Sequence, residues 1–204
     1  MKSCVIFGAG PFDGRTPVPK ADLYIAADAG LETMRKTGLS PDLVIGDFDS
    51  LTAPLPAETE IVRLPVKKDV TDLDAAVREA QKRGSDTFYL FGVLGGRPDH
   101  SYANLSLLAR LASDGCKATL YGAGYTVTAV HNGCLCLAAR ESGTVSVFSF
   151  TDKSEGVTIR GLQYALENAT LTSGFALGVS NAFRGLPAEI SVENGVLLVM
   201  VENA

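Results

Sequence analysis

The stretch Leu43-Val44-Ile45-Gly46-Asp47-Phe48-Asp49-Ser50 joins a short apolar run to two carboxylates that lie two residues apart. The run has the length and composition of a buried strand, and alternate residues of a strand point to the same side of its sheet. We therefore expect Asp47 and Asp49 to project together from the end of a buried strand. Two close carboxylates repel each other unless a cation lies between them, and oxygen-only ligands suit Mg²⁺. The alternative is that one of the two caps the following turn, together with Ser50.

A second acidic cluster has the sequence Lys67-Lys68-Asp69-Val70-Thr71-Asp72-Leu73-Asp74 and surrounds a predicted helix start. A helix N-terminus offers free N–H groups and favours anions. We expect Asp69 and Asp72 to face the same sheet edge as the first pair, because they flank the turn before the helix. Thr71 followed by Asp74 resembles a capping box, so Asp74 is interpreted as a solvated cap.

A third polar segment, Gly95-Gly96-Arg97-Pro98-Asp99-His100, follows another apolar run. Paired glycines let the backbone approach a phosphate closely, and the guanidinium of Arg97 matches phosphate oxygens. Asp99 is placed to order Arg97 or His100, or to reach the metal. The alternative is a glycine turn before a helix. Together with the two acidic clusters, this segment predicts a metal-bound phosphate site.

Two earlier segments are less specific. Gly8-Ala9-Gly10-Pro11-Phe12-Asp13-Gly14 follows the first apolar run, but it is neither a Walker A loop nor a Gly-x-Gly-x-x-Gly sequence. It is interpreted as a plain connecting loop. Asp28 ends the second run, where it either joins the carboxylate cluster or caps the following helix.

The first 124 residues alternate apolar runs with helical segments, which predicts an open parallel α/β sheet with flanking helices. Glycines lie just past the three predicted helix ends, where left-handed caps are common. The strands are predicted at 3–7, 23–26, 43–45, 60–64, 87–91 and 118–121, the helices at 29–36, 72–83 and 101–112, and the glycine caps at Gly38, Gly84 and Gly115.

Residues 125–204 show short runs separated by turn signals and no convincing helix, which predicts an all-β sandwich as a second domain. Two Asn-Gly pairs are tight-turn signals. The strands are predicted at 127–130, 134–137, 144–150, 157–160, 170–171 and 190–201, and the turns at 131–133 and 193–195.

Composition narrows the class of protein. The chain has 204 residues, of which 46% are hydrophobic and 20% charged, so it can bury a core. Its net charge of −5 argues against a nucleic-acid surface. The N-terminal apolar run is too short for a signal peptide, and no window reaches the length of a membrane span. The spacing Cys134-x-Cys136 is too tight for the usual metal motif, so the cysteines are interpreted as buried, reduced thiols of a cytoplasmic protein.

These segments, in this order, resemble the thiamine pyrophosphokinase family almost from end to end. Two departures are visible: Ala29 stands where the family has a glycine, and the chain has no tryptophan, so that Tyr164 takes the position of an aromatic family residue. The matching segments are Ala27-Asp28-Ala29-Gly30, the stretch from Pro41 to Ser50, Lys68-Asp69-Val70-Thr71-Asp72, the stretch from Gly95 to Leu105, Gly161-Leu162-Gln163-Tyr164 and Ser180-Asn181-Ala182-Phe183.

The resemblance implies that residues 1–124 form a catalytic domain that binds ATP and Mg²⁺, and that residues 125–204 contribute to thiamine binding and dimerisation. It implies a homodimer whose active site is shared between subunits, and transfer of pyrophosphate from ATP to thiamine. Assigned on this basis are Mg²⁺ ligands (Asp47, Asp49, Asp69, Asp72), catalytic residues (Asp49, Asp72 as ligand or proton acceptor, Arg97), nucleotide-binding residues (Asp28, Lys67, Lys68, Gly95, Gly96, Arg97, Asp99, His100) and thiamine-binding residues (Tyr164, Ser180, Asn181).

Two other functions stay open on the sequence. A related pyrophosphokinase could act on a pterin alcohol with the same phosphate-binding residues. A sensor could bind thiamine or a nucleotide without turnover, although binding alone does not need so many carboxylates beside a polyphosphate.

Overall fold

The computed structural model describes residues 1–49, 51, 54–67 and 69–203, so Ser50 and Lys68 lie outside the described residues. Within the described part, the chain has fourteen strands and three helices. It divides into two compact units, one of Met1–Leu107 with Cys116–Ala123 and the other of Leu108–Gly115 with Gly124–Ala204.

The first unit contains six parallel strands in the order β6-β5-β1-β2-β3-β4. The apolar runs of β1, β2, β3 and β5 suit central strands that are covered on both faces. The rings of Phe7 and Phe91 stack at 5.1 Å between centroids, which packs the centre of this sheet. The elements are β1 (Ser3–Phe7), β2 (Leu23–Ala27), α1 (Gly30–Lys36), β3 (Leu43–Gly46), β4 (Glu60–Arg63), α2 (Asp72–Lys82), β5 (Thr87–Phe91), α3 (Pro98–Ser113, of which residues 108–113 belong to the second unit) and β6 (Lys117–Gly122).

The second unit contains two groups of antiparallel strands, ordered β12-β9-β14-β7 and β11-β10-β13-β8. Alternate side chains of both groups meet in one apolar cluster that includes Val147, Ile159, Ile190 and Val199. The strands are β7 (Tyr125–His131), β8 (Cys134–Leu137), β9 (Thr144–Ser149), β10 (Lys153–Arg160), β11 (Leu166–Thr172), β12 (Gly178–Ala182), β13 (Ala188–Ser191) and β14 (Val196–Glu202).

The α/β class predicted from the sequence is confirmed, and most predicted strands and helices differ from the observed ones by a few residues at their ends. The Thr71 hydroxyl accepts a hydrogen bond from the Asp74 amide at 3.1 Å, as a capping box requires. The three cap glycines have φ values of +76°, +87° and +78°. The Asp74 side chain is 18% exposed and forms an ion pair with Arg78 at 3.0 Å, one turn further along α2.

Three expectations for the second half were wrong. The run at 190–201 is two strands, β13 and β14, because the predicted Asn-Gly turn interrupts it. Strand β12 was missed, because its sequence Gly-Val-Ser-Asn-Ala carries no strong strand signal. Cys134 and Cys136 are exposed and not buried, because the alternation of β8 turns Leu135 and Leu137 toward the apolar cluster instead.

In the part of the chain that the structure describes, none of the helices combines the length and the hydropathy that a membrane crossing requires.

Candidate active site

The first unit contains a cleft of about 920 Å³ at the carboxyl edge of its parallel sheet. Successive strands run outward from β1 through β2, β3 and β4, whereas β5 lies on the other side of β1, so the strand order reverses between β1 and β5. Open α/β sheets bind ligands at such a switch point. The lining residues come from loops that follow β1, β2, β3, β4 and β5 and from the starts of α2 and α3, and the acidic ones among them are Asp28, Asp47, Asp49, Asp69 and Asp72.

Asp47 and Asp49 both line the cleft, as predicted, but they do not lie on one face of a strand. Strand β3 ends at Gly46, and Phe48 between the two carboxylates has a φ of +63°. A bulky residue in this left-handed region is a backbone outlier, so the strand alternation assumed for the pair does not apply. The Asp47 carboxylate accepts a hydrogen bond from the Asp49 amide at 3.3 Å, so Asp47 also caps the turn. The Arg63 guanidinium lies 5.2 Å from the centre of the Phe48 ring, where a cation–π contact holds the ring.

Asp28 occupies the same position after β2 that the acidic pair occupies after β3. Its φ is +50°, and its amide donates to the Ile45 carbonyl at 2.8 Å. Backbone strain of this kind persists where the surroundings impose it, and it concentrates at functional sites. Ala29, the departure from the family pattern, has a φ of −63°, which any residue adopts. The backbone therefore requires no glycine at position 29.

The loop after β1 was wrongly interpreted as a plain connection, because Gly8, Gly10 and Pro11 line the cleft. The Gly8 amide donates to Phe91 O at 2.8 Å and the Gly10 amide donates to Gly92 O at 2.7 Å, so this loop pairs with the loop after β5. A Cβ atom on Gly8 would lie 2.8 Å from Gly92 O, which leaves no room for a side chain. The sequence gives no sign of this contact, since it depends on β1 and β5 being neighbours.

Arg97 and His100 line the cleft at the start of α3, beside Gly95 and Gly96. The Arg97 side chain is 70% exposed and forms a two-pronged ion pair with Asp99, with its Nη2 at 2.6 Å and its Nε at 3.2 Å from the carboxylate oxygens. These hydrogen bonds lower the pKa of Asp99 to about 2. Asp99 therefore holds Arg97 in place, which is the first of the roles that the sequence left open for it.

Asn104 is a lining residue that the sequence reasoning did not single out, although it stands within a segment quoted for the family resemblance. Its side chain is buried and donates from Nδ2 to Val93 O at 2.6 Å. This bond ties α3 to the loop after β5. Lys67 is exposed and is not among the residues that line the cleft, and Lys68 falls outside the described residues.

The donor set of the cleft fits Mg²⁺ in chemistry. Five carboxylates face one guanidinium, so a polyphosphate would meet net negative charge without a cation. Among the residues that the structure describes, no three of these carboxylates bring their oxygens within 4.8 Å of one another. Mg²⁺ is commonly held by one or two carboxylates together with waters and substrate phosphates, and an arrangement of spaced carboxylates suits that mode.

The three residues predicted to contact thiamine belong to the second unit. Tyr164 is 65% exposed. Asn181 is buried, and its amide is committed to the backbone of Tyr164: Oδ1 accepts from the Tyr164 amide at 2.9 Å and Nδ2 donates to its carbonyl at 2.6 Å. The Asn181 side chain therefore positions the Tyr164 backbone, and its expected hydrogen bond to a substrate edge stays a prediction. Ser180 is exposed with a φ of +59°.

The fold and the cleft define an open-sheet α/β protein with an acidic, glycine-lined ligand cleft at the switch point. Residues 16–120 match the family model "Thiamin pyrophosphokinase, catalytic domain", and residues 136–197 match "Thiamin pyrophosphokinase, vitamin B1 binding domain". The chain belongs to the thiamine pyrophosphokinase family.

Individual relatives agree with this assignment. A thiamine pyrophosphokinase of Bacillus subtilis (strain 168) is 29% identical over 189 residues, which cover 87% of this chain and 86% of the relative. A crystal structure of thiamine pyrophosphokinase from Bacillus subtilis superposes with a TM-score of 0.88 at 27% identity, covering 100% of both chains. The corresponding structure from Geobacillus thermodenitrificans has a TM-score of 0.80 at 25% identity and covers 99% of this chain and 98% of that one.

Proposed function

We propose that this protein transfers the pyrophosphoryl group of ATP to the hydroxyl of thiamine, which gives thiamine diphosphate and AMP. The observation that carries the proposal is the cleft at the switch point, where five carboxylates and Arg97 lie beside the glycine loops that follow β1 and β5. Membership of the family supports the same reaction.

The proposed roles in the cleft follow from charge and position. The thiamine hydroxyl attacks the β-phosphorus and AMP leaves, a reaction that depends mainly on positioning and charge neutralisation. Asp47, Asp49 and Asp69 would hold Mg²⁺, which would supply positive charge to the polyphosphate. Asp72 is a further ligand or accepts the hydroxyl proton. Arg97, oriented by Asp99, binds phosphate oxygens.

The remaining nucleotide-binding roles rest on the same placement. Gly95 and Gly96 line the cleft without side chains, so that a phosphate can approach their backbone closely, and His100 and Asp28 complete the lining. Lys67 and Lys68, which precede α2 in the sequence, contribute positive charge.

The second half is proposed to hold thiamine. Tyr164 stacks on the pyrimidine ring and Ser180 or Asn181 hydrogen-bonds its edge, while the Asn181 amide also keeps the Tyr164 backbone in place. The match of residues 136–197 to a vitamin B1 binding domain supports thiamine over a pterin alcohol. The carboxylate-rich cleft supports turnover over simple sensing, because carboxylates that hold a cation beside a polyphosphate are an arrangement that stabilises the charge of phosphoryl transfer.

The donor chemistry gives the first prediction. Incubation of the protein with ATP, Mg²⁺ and thiamine should yield AMP and thiamine diphosphate in equal amounts, and EDTA should abolish turnover, because the acidic cleft cannot hold a polyphosphate without a cation. Chromatographic resolution of the nucleotides and of the thiamine esters measures both. ADP with thiamine monophosphate as products would reject pyrophosphoryl transfer, and undiminished activity in EDTA would reject the metal. In a parallel incubation with a pterin alcohol in place of thiamine, turnover of the pterin alcohol alone would reject thiamine as the substrate.

We further propose a homodimer in which each active site combines residues 1–124 of one subunit with residues 125–204 of the other. Asp49→Asn and Tyr164→Ala, unfolded and refolded together, should then recover about a quarter of wild-type activity at low thiamine concentration. The reason is that about half the dimers are hybrid, and a hybrid carries one intact site and one with both lesions. If native mass spectrometry confirms hybrids while activity stays at the average of the two variants, each site is built within one chain.

A further inference from the structure

A second cluster of metal-ligating side chains lies in the second unit. The sulfurs of Cys134 and Cys136 and a carboxylate oxygen of Glu189 all lie within 4.8 Å of one another, and all three residues are exposed. No other group of three such ligands is this close among the described residues. The first unit, which holds the acidic cleft, contributes none of the three.

Sheet geometry brings these side chains together. Cys134 and Cys136 are alternate residues of β8, so they share one face of the strand while Leu135 and Leu137 turn to the apolar cluster. β13 pairs with β8 in antiparallel register, with Glu189 opposite Cys136. Directly opposed residues place their Cβ atoms about 4.5–5.5 Å apart on the same face. The cluster is therefore fixed by backbone pairing and does not depend on loop conformation.

We propose that Cys134, Cys136 and Glu189 form a binding site for Zn²⁺ on the exposed face of the β8–β13 strand pair. Thiolate sulfur and carboxylate oxygen are both ligands of this borderline-soft ion. Two sulfurs bound to one zinc at about 2.3 Å lie about 3.8 Å apart in a tetrahedral site, which the cluster reaches by side-chain rotation. Three protein ligands leave one position open to water.

A disulfide between the same two cysteines is disfavoured by the strand. Alternate residues of a strand have Cα atoms about 6.6–6.8 Å apart, at the upper limit of the range in which disulfides occur. A metal bridge has no such restriction, because the ion separates the sulfurs.

The ion pairs around Glu189 leave its carboxylate available to bind a metal ion. Arg160 lies opposite Glu189 on β10, and its Nη1 is 4.0 Å from Glu189 Oε1, a loose contact. The same guanidinium has a short ion pair with Glu167 at 2.7 Å. Arg160 therefore keeps a carboxylate partner when Glu189 turns to the metal, and no charge is left isolated.

Cobalt spectroscopy on the full-length, EDTA-treated protein in a reducing buffer without sulfur ligands tests this proposal. Titration with Co²⁺ should produce a thiolate-to-metal charge-transfer band that saturates at one ion per chain and disappears when Zn²⁺ is added. Carboxylates give no such band, so the signal is independent of the acidic cleft and of the proposed reaction. Zinc should also raise the Tm, because it binds the folded state.

Variants of the three ligands make the test specific. Cys134→Ser with Cys136→Ser should lose the band and show a smaller zinc-induced Tm shift, and Glu189→Gln should keep the band with an affinity at least about tenfold weaker. Cys116→Ser is the matched control, since Cys116 is a partly exposed thiol outside the cluster, and it should bind as the wild type does. The proposal is overturned if the reduced wild type gives no band or if the double serine variant keeps it. Should the double variant not fold, the single variants Cys134→Ser and Cys136→Ser decide in the same way.

Discussion

Asp49→Asn is expected to lower kcat on the order of 100-fold or more, by analogy with the loss of one preorganised electrostatic group. The substitution keeps the shape of the side chain and removes one of five charges from the cleft. The Mg²⁺ concentration that gives half-maximal activity should rise, because a ligand is weakened. Steady-state kinetics across a magnesium titration measures both effects.

Stability should be nearly unaffected in this variant, because Asp49 is exposed and loss of its charge relieves repulsion among the carboxylates. Asp74→Asn is a matched control, since Asp74 lies close in sequence to the cleft residues of α2 but pairs with Arg78. It should keep near-normal kcat and lose only about 0.3–0.5 kcal/mol of stability. Near-normal turnover of Asp49→Asn would remove Asp49 from the metal site, and failure of this variant to fold would assign it a structural role.

Gly30→Ala is expected to reduce the free energy of unfolding by about 3 kcal/mol or more, the upper part of the range for overpacking. Gly30 begins α1, and a Cβ atom there would lie 2.0 Å from Phe7 O and 2.6 Å from Phe7 C. These are backbone atoms at the end of the central strand β1, so they cannot rotate away. Helix propensity alone predicts the opposite effect, because alanine in place of glycine within a helix raises the free energy of unfolding by up to about 1 kcal/mol. Denaturant unfolding measures the change, and the Tm should fall by roughly 6–12 °C.

Gly174→Ala is the control for this substitution, because no atom lies within 4 Å of a Cβ built at Gly174 and its φ is not positive. Its stability should stay within about 0.5 kcal/mol of the wild type. If Gly30→Ala proves as stable as Gly174→Ala, the close approach of α1 to the end of β1 does not exist in the folded protein.

The first half of the fold could be predicted closely from local signals. Buried parallel strands such as β1 and β5 are continuous apolar runs, and the helices carry their own start and stop residues, as Thr71 and Gly84 illustrate. These signals act within a few residues, so one sequence contains them in full. Strand β12 lacks such a signal and was found only through its pairing with β9.

The candidate site could be predicted in part. The order of the acidic and glycine segments indicated which residues follow strands, and the cleft contains Asp28, Asp47, Asp49, Asp69 and Asp72 together. The geometry within the segments could not be predicted, because the left-handed turn at Phe48 replaces the expected strand alternation. Asn181 illustrates the same limit, since its commitment to the Tyr164 backbone joins residues 17 positions apart in sequence.

The sequence by itself determined the strands and helices of the first half, the acidic residues at the strand ends and the family. Only the tertiary structure decided that the loops after β1 and β5 form one wall of the cleft, and that Glu189 lies opposite Cys136. Strand order and register are set by the packing of distant segments against one another, and a change of one residue in register moves every side chain to the other face of the sheet. Local sequence patterns do not specify strand order or register. The contacts that form the cleft and the cluster of Cys134, Cys136 and Glu189 can therefore be identified only in the assembled sheets.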